Sequence, residues 1–84
     1  MFVIEICNPE IRRIHPHLNY DYAKNEPVVL GTSDGMYYPT IIGGPVLFFY
    51  SIAEAQKVID SGYLKVYPDI SYQPKIRIVT LKDI

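Results

Sequence analysis

The sequence is poor in several residue types that would point directly to a function. It contains no tryptophan and a single cysteine. One cysteine excludes an internal disulfide and any site built from several thiolates. Its 8 basic and 9 acidic side chains leave a formal charge of −1, so there is no overall attraction to nucleic acid or to an anionic membrane. The lone cysteine is typical of a reducing compartment, and we expect a cytoplasmic protein.

Long hydrophobic runs are also missing. The first ten residues, MFVIEICNPE, place a glutamate inside their apolar run and have no basic lead, which does not predict a signal peptide. No apolar run approaches the length that spans a bilayer, so we expect no membrane partner. A chain of 84 residues is long enough for one domain and too short for two. We predict a single domain over residues 1–84.

The segment FFYSIAEAQKVIDSG, residues 48–62, predicts a short amphipathic helix. Ser51 and Glu54 have the spacing of a capping box, in which the serine oxygen accepts from the N–H of Glu54 and the glutamate accepts from the N–H of Ser51. The helix should therefore begin at Ile52 and run for about three turns. Its apolar residues recur at the three-and-four spacing of one face that packs on a sheet: Ile52, Ala55, Val58 and Ile59.

Other segments predict strands. MFVIEI and IRIVTL, near the two ends of the sequence, are rich in β-branched residues. VVLGTSDGMYY carries Asp-Gly between two runs of β-type residues, which predicts a hairpin, and VLFFY predicts a short buried strand. One helical turn is expected after Asn8. Together these elements predict an α+β fold, a small mostly antiparallel sheet of four to five strands with one helix packed on one face.

The second face of this sheet is predicted to be partly apolar. On the first strand Ile4 and Ile6 would point to the helix, while Val3 would point to the other side. That side must be covered by the connection 8–27, by the hairpin or by another molecule. Because the edge strands of so small a sheet also favour two-fold pairing, we predict a homodimer.

Three segments together carry a resemblance to a group of known proteins. The chain opens with MFVIEI, places the element F-x-S-x-x-E-A (Phe49, Ser51, Glu54 and Ala55) before its helix, and ends in IRIVTL. It resembles a loose group of small phage-encoded and bacterial accessory proteins, several of which bind and modulate a host protein. The resemblance implies a modulator or inhibitor of a host protein, in host takeover or anti-defence, acting in the host cytoplasm if phage-encoded. It carries no catalytic residue to transfer.

Tyrosine is the prominent feature of the composition, with eight in 84 residues. A tyrosine side chain covers a large area at small entropic cost and keeps a polar tip, so it is favoured in protein interfaces. Some tyrosines of a small domain also serve only to cover a sheet face. The candidates for contact with a protein partner lie in the predicted connections and the hairpin: Tyr20, Tyr22, Tyr37, Tyr38, Tyr63, Tyr67 and Tyr72.

The segment RRIHPHLNYDY supports an alternative function. Two arginines beside tyrosines are typical of a site for single-stranded nucleic acid, where bases stack on aromatic rings. The formal charge of −1 argues against nucleic-acid binding, because nucleic-acid-binding proteins usually carry a basic surface. A non-enzymatic protein-binding module is therefore the first prediction, and a small single-stranded nucleic-acid-binding protein is the alternative. The residues of that alternative site are Arg12, Arg13, Tyr20 and Tyr22.

Metal and enzyme chemistry find little support in the pattern. Zinc would need a third ligand besides His15 and His17, and we predict neither a metal nor another cofactor. The two histidines and the two arginines of this segment are further candidates for partner contact. Cys7 has no spacing signature with a base. We therefore predict that the protein is not an enzyme.

Overall fold

The computed structural model describes residues 1–61 and 73–79. The elements are β1 (Phe2–Ile6), α1 (Ile11–Ile14), a 3₁₀ turn (Pro16–Asn19), β2 (Val29–Ser33), β3 (Met36–Thr40), α2 (Ile52–Asp60) and β4 (Pro74–Ile78). The four strands described form one antiparallel sheet in the order β3-β2-β1-β4, and helix α2 packs on β1 and β4. This confirms the predicted α+β fold, and α1 confirms the helical turn expected after Asn8.

The β2–β3 hairpin has the turn that its Asp-Gly pair predicts. Asp34 and Gly35 take φ values of 52° and 77°, the left-handed conformation that both central residues of a type I′ turn require. Pairing then runs without a bulge from Ser33 opposite Met36 along the two strands. The turn therefore sets the register of the whole hairpin.

The segment 45–49 fits between β1 and β2 and is not a regular strand. β1 and β2 pair directly at one residue pair. Beyond it, one isolated bridge joins Val46 to Gly31 of β2 and another joins Phe49 to Phe2 of β1. The prediction of a strand over VLFFY is wrong, because the segment exchanges β2 for β1 as its partner along its length and no continuous ladder forms.

The two faces of the sheet carry separate cores. The larger core lies under α2, and the connection 8–27 contributes Ile11 and Leu18 to it. On the second face, three fully or almost fully buried valines are covered by residues of the link 41–48. The expectation was a cover formed by the connection 8–27, by the hairpin or by another molecule, and the apolar side chains of this cover come from the link instead. The side chains of this second core are Val3, Val29 and Val79, with Ile42, Val46 and Phe48 against them.

Helix α2 begins at Ile52 as predicted, with a modified cap. The Ser51 hydroxyl accepts from the N–H of Glu54 at 3.2 Å, but the Glu54 carboxylate accepts from the N–H of Tyr50 at 3.1 Å, one residue earlier than expected. Ala55 is fully buried, whereas Ile52 is 54% exposed. The prediction that Ile52 is packed is wrong: of the predicted apolar face, Ala55, Val58 and Ile59 contribute to the core and Ile52, at the start of the helix, does not.

We expect Ser51→Ala to lower the free energy of unfolding by about 1 kcal/mol, because a backbone N–H of the first helical turn loses its acceptor. Ile52→Ala, one residue on, should change it by less than about 0.5 kcal/mol, since that side chain is largely exposed. Urea denaturation of both variants measures the difference. A larger loss for Ile52→Ala than for Ser51→Ala would contradict the packing described here.

Candidate functional site

Arg12 organises the connection between β1 and β2. Its guanidinium donates to the backbone carbonyls of Leu18, Ala23 and Glu26, and its own carbonyl accepts from the Asn19 side-chain amide at 2.9 Å. A planar fork of donors is suited to joining several carbonyls of a segment without a strand partner. Arg12 therefore holds the loop together, with its donors directed at protein carbonyls.

Arg13 has a different environment from its neighbour. It lies on the surface, where its Nε–H donates to Glu10 Oε2 at 2.6 Å and the two side chains form an ion pair. The sequence suggested that the two arginines act together. In the structure Arg12 is directed into the loop and Arg13 pairs with the carboxylate of Glu10, the residue before α1, so they do not form one cationic surface.

The two histidines of the loop lie edge to face, with ring centroids 5.7 Å apart and planes at 82°. His15 is 6% exposed and lies inside the loop. His17 is on the surface, where its Nε2 is 3.4 Å from the carbonyl oxygen of Pro39. Within residues 1–61 and 73–79, no three His, Cys, Asp or Glu side chains come together as metal ligands would. Of the two histidines, His17 is the one that a partner could contact.

Tyr20 and Tyr22 form an exposed aromatic pair on this loop. Their side chains are 58% and 69% exposed, and their ring centroids are 5.9 Å apart with planes at 49°. The backbone beneath them turns tightly, because the N–H groups of Ala23 and Lys24 donate to the Tyr20 carbonyl at 2.8 and 2.9 Å. The pair is therefore presented on a loop with a defined backbone.

A groove runs beside the tyrosine pair. His17 and Tyr22 line one side, the link 41–45 lines the other, and the volume is about 530 Å³. A hollow of about 310 Å³ shares Tyr22 and reaches Arg77, and one of about 320 Å³ shares His17 and reaches Tyr38. We call the central groove, defined by His17, Tyr22 and residues 41–45, the tyrosine groove. It brings together two candidates from the first connection, His17 and Tyr22, and the neighbouring hollow at His17 reaches the hairpin candidate Tyr38.

The remaining tyrosines have mixed positions. Tyr37 and Tyr38 are half-buried on β3, and Tyr37 packs against the larger core. Tyr50 is 84% exposed and is not among the candidates that the sequence predicts. It belongs to the segment VLFFY, which predicts a buried strand, although the capping box at Ser51 already indicates that the chain leaves the sheet at this point. Three candidates lie outside the described residues: Tyr63, Tyr67 and Tyr72.

Cys7 lies at the surface just after β1, and its thiol donates to Glu5 Oε1 at 3.7 Å. Partial desolvation raises the pKa of the Cys7 thiol, the charge and hydrogen bond of Glu5 raise it further, and the charge of Lys75 lowers it. Because the thiolate is the nucleophile, a raised pKa leaves less of the reactive form at neutral pH. The surroundings of Cys7 are therefore opposite to those that activate a thiol.

We expect iodoacetamide to alkylate Cys7 faster in the Glu5→Gln variant than in the unaltered protein at neutral pH. Removing the carboxylate lowers the pKa of the thiol and raises the thiolate fraction. Mass spectrometry over a range of pH should show the inflection of the rate moving to lower pH. Glu10→Gln, which alters a carboxylate paired with Arg13, serves as the control. An inflection that does not move in Glu5→Gln would contradict the assigned cause.

The covered second face bears on the predicted homodimer. Val3 and Val29 are fully buried and Val79 is 3% exposed, so the apolar surface that suggested a two-fold partner is already packed within the chain. The homodimer remains a prediction, without that argument for it.

Comparison with protein-family models, with curated proteins and with solved structures finds no match to this chain. In the part of the chain that the structure describes, no helix combines the length and apolar character needed to cross a membrane.

Proposed function

We propose that the protein is a non-enzymatic protein-binding module that contacts its partner through the Tyr20–Tyr22 pair and the tyrosine groove. The observation that carries the proposal is the exposure of both tyrosine side chains, 58% and 69%, on a loop held by Arg12. Ordering a mobile loop costs free energy on binding, and a loop ordered beforehand avoids that cost.

The tyrosine groove suits the role of a pocket beside these aromatic anchors. Ile41 and Ile42 contribute apolar surface to its lining, and Thr40 and His17 contribute polar groups. Protein interfaces commonly combine aromatic anchors with pockets that exclude water and with polar groups at the rim. A partner side chain seated in the groove would lie directly against Tyr22.

The class of partner follows from charge and from the sequence resemblance. A chain with formal charge −1 gains little from long-range steering, so affinity has to come from burial and short-range hydrogen bonds. The resemblance to small phage-encoded and bacterial accessory proteins implies that the partner is a host protein whose activity the chain modulates or inhibits. That identity is part of the proposal.

Single-stranded nucleic-acid binding is the second candidate function. Tyr20 and Tyr22 offer two faces on which bases can stack. The neighbouring cations are engaged within the protein, however, because Arg12 donates to backbone carbonyls and Arg13 pairs with Glu10. Phosphates would have to compete with these contacts, which favours a protein partner.

Site-specific photo-crosslinking in a bacterial lysate tests the proposal. A photoreactive residue is placed at position 22 or, as a control, at position 57 on the exposed face of α2. We expect a discrete protein adduct from position 22 that survives nuclease, is weaker in a Tyr20→Ser background, and is absent from position 57. Equal adducts from both positions, or none from either, would overturn the proposal.

A parallel titration separates the two candidate functions. A fluorescently labelled single-stranded oligonucleotide is mixed with the protein, and its anisotropy is followed at low and physiological salt. We expect no saturable binding at physiological salt. Saturable binding that Tyr20→Ser and Tyr22→Ser remove would instead favour the nucleic-acid function, as would an adduct at position 22 that nuclease destroys.

A further inference from the structure

The backbone of β3 shows how one outer edge of the sheet is arranged. On β2, Leu30 and Thr32 direct backbone groups to the segment 45–49, with hydrogen bonds of 3.1 and 3.0 Å. Backbone groups of successive residues in an antiparallel strand point alternately to its two sides. The partners of these residues on β3, which are Pro39 and Tyr37, therefore direct their backbone groups outward.

The outer edge of β3 is closed to another strand. Pro39 has no N–H to offer, and its carbonyl oxygen already lies 3.4 Å from His17 Nε2. Proline at an outward position of an edge strand removes a donor without removing a bond of the sheet. Of Pro39 and Tyr37, only Tyr37 has a backbone N–H that points outward.

The outer edge of β4 is arranged differently. Met1 and Val79 exchange two backbone hydrogen bonds, 2.9 and 3.3 Å long. This pair determines which residues of β1 and β4 point their backbone groups toward each other and which point them away. Ile76 and Ile78 then direct both N–H and C=O away from β1. In the described part of the chain no strand pairs with this side of β4, and Ile78 is 68% exposed.

The side chains of β4 alternate in character as well. Ile76 and Ile78 lie on the side of α2, and Lys75 and Arg77 lie on the other. Glu5 is opposite Lys75 in the β1–β4 pairing, and its carboxylate is 3.3 Å from the Arg77 guanidinium. Lys75 and Arg77 thus place two cations on the outermost strand, one of them paired with Glu5. On β1, the strand that β4 pairs with, Ile4 is on the side of α2 and Glu5, opposite Lys75, is on the other side.

We propose that the outer edge of β4 binds an extended segment of a partner protein in which acidic and apolar residues alternate. The backbone groups of Ile76 and Ile78 would bond to that segment, its acidic side chains would face Lys75 and Arg77, and its apolar side chains would lie beside the two isoleucines. Ile76 and Ile78 do not line the tyrosine groove, although the hollow that shares Tyr22 with it reaches Arg77. The inference shares with the proposed function only the need for a protein partner.

A second copy of the chain fits this edge poorly. If two β4 strands paired about a two-fold axis at Ile76, Lys75 of each would lie opposite Arg77 of the other. With the axis between Ile76 and Ile78, the two Arg77 side chains would face each other. Like charges directly opposite in a sheet are destabilising, so in these two registers charge favours an acidic segment over a second β4.

Peptide titration followed by NMR tests the inference. The blocked peptide Val-Glu-Val-Glu-Val and its counterpart Val-Lys-Val-Lys-Val are added separately to the full-length protein labelled with ¹⁵N. We expect the glutamate peptide to shift the amide signals of Ile76 and Ile78 and to leave Tyr37 unchanged. The lysine peptide should bind more weakly, and added salt should weaken the glutamate peptide.

Two sets of variants separate charge from backbone pairing. Lys75→Gln and Arg77→Gln should each weaken the glutamate peptide roughly two- to fivefold, the range for exposed ion pairs, whereas Lys57→Gln on α2 should have no effect. Ile78→Pro removes an outward N–H that is not bonded to β1. It should weaken binding more than Ile78→Ala, which keeps that N–H. Circular dichroism of each variant verifies that it is folded.

Three results would overturn the inference. They are equal affinity for the two peptides, signal changes confined to the tyrosine groove, and concentration-dependent dimerisation that shifts Ile76 and Ile78 without peptide. The last would show that a second copy occupies the edge. None of them depends on crosslinking from position 22, so this inference and the proposed function can fail separately.

Discussion

Replacing Gly31 by alanine is expected to lower the free energy of unfolding by about 3 kcal/mol, the upper part of the usual range for an overpacked core. A Cβ at this position would lie 2.5 Å from the carbonyl oxygen of Pro45 and 2.7 Å from Cγ2 of Thr40. Relief requires the segment 45–49 to move away from β2, which breaks the bond between Thr32 and Pro45. Urea denaturation measures the loss.

Gly44→Ala is the matched control for this substitution. A Cβ there would meet Oγ1 of the Thr40 side chain, and the nearest backbone atom, the Ile41 oxygen, is at 3.4 Å. A threonine side chain can change its rotamer, whereas a hydrogen-bonded carbonyl cannot move alone, so the control should be clearly less destabilised. Equal losses in the two variants would show that the segment 45–49 is not held closely against β2.

Arg12→Ala is expected to lower the free energy of unfolding by about 3 kcal/mol. Hydrogen bonds from a charged donor contribute about 1.5 to 3 kcal/mol each, but those of one side chain are not additive, and Arg12 donates to three carbonyls. Arg12→Lys should recover only part of the loss, because an ammonium cannot bridge carbonyls as a planar guanidinium does. Urea denaturation, with hydrogen exchange of the amides in residues 18–26, measures both variants.

Arg13→Ala controls for the loss of one positive charge. Its partner Glu10 and the pair itself are exposed, so the change should be below about 0.5 kcal/mol. If Arg12→Ala is equally mild, Arg12 does not organise the loop. A mild Arg12→Ala that also abolished oligonucleotide binding would support the nucleic-acid function.

The parts of the fold that could be predicted depend on residues close together in the sequence. Asp34 and Gly35 determine a turn by their own conformational preferences, and Ser51 and Glu54 mark a helix start within a single turn. The segment 45–49 is different, because its apolar run is equally compatible with a full strand. Which partner each end bonds to depends on where β1 and β2 separate, and no local pattern encodes that separation.

The candidate site shows the same limit. The aromatic and basic content of the first connection identified Tyr20 and Tyr22 as candidates, but not how far each side chain is exposed. The sequence pattern makes Arg12 a candidate for partner contact, whereas its acceptors in the structure are backbone carbonyls. Backbone carbonyls have no signature in a sequence. An arginine near prolines and aromatic residues therefore gives the same sequence pattern whether it binds a phosphate or holds its own loop together.

The position of β1 in the sheet has a consequence for how the chain folds during synthesis. β1 lies between β2 and β4, and the segment 45–49 also bonds to it at Phe2, so every partner of this strand is translated after it. Its pairing with β4 joins residues more than sixty positions apart, and contacts so distant in sequence slow folding. Until β4 leaves the ribosome, an apolar strand has one side without its final neighbour, and unpaired strand edges of this kind make partly folded chains prone to aggregation.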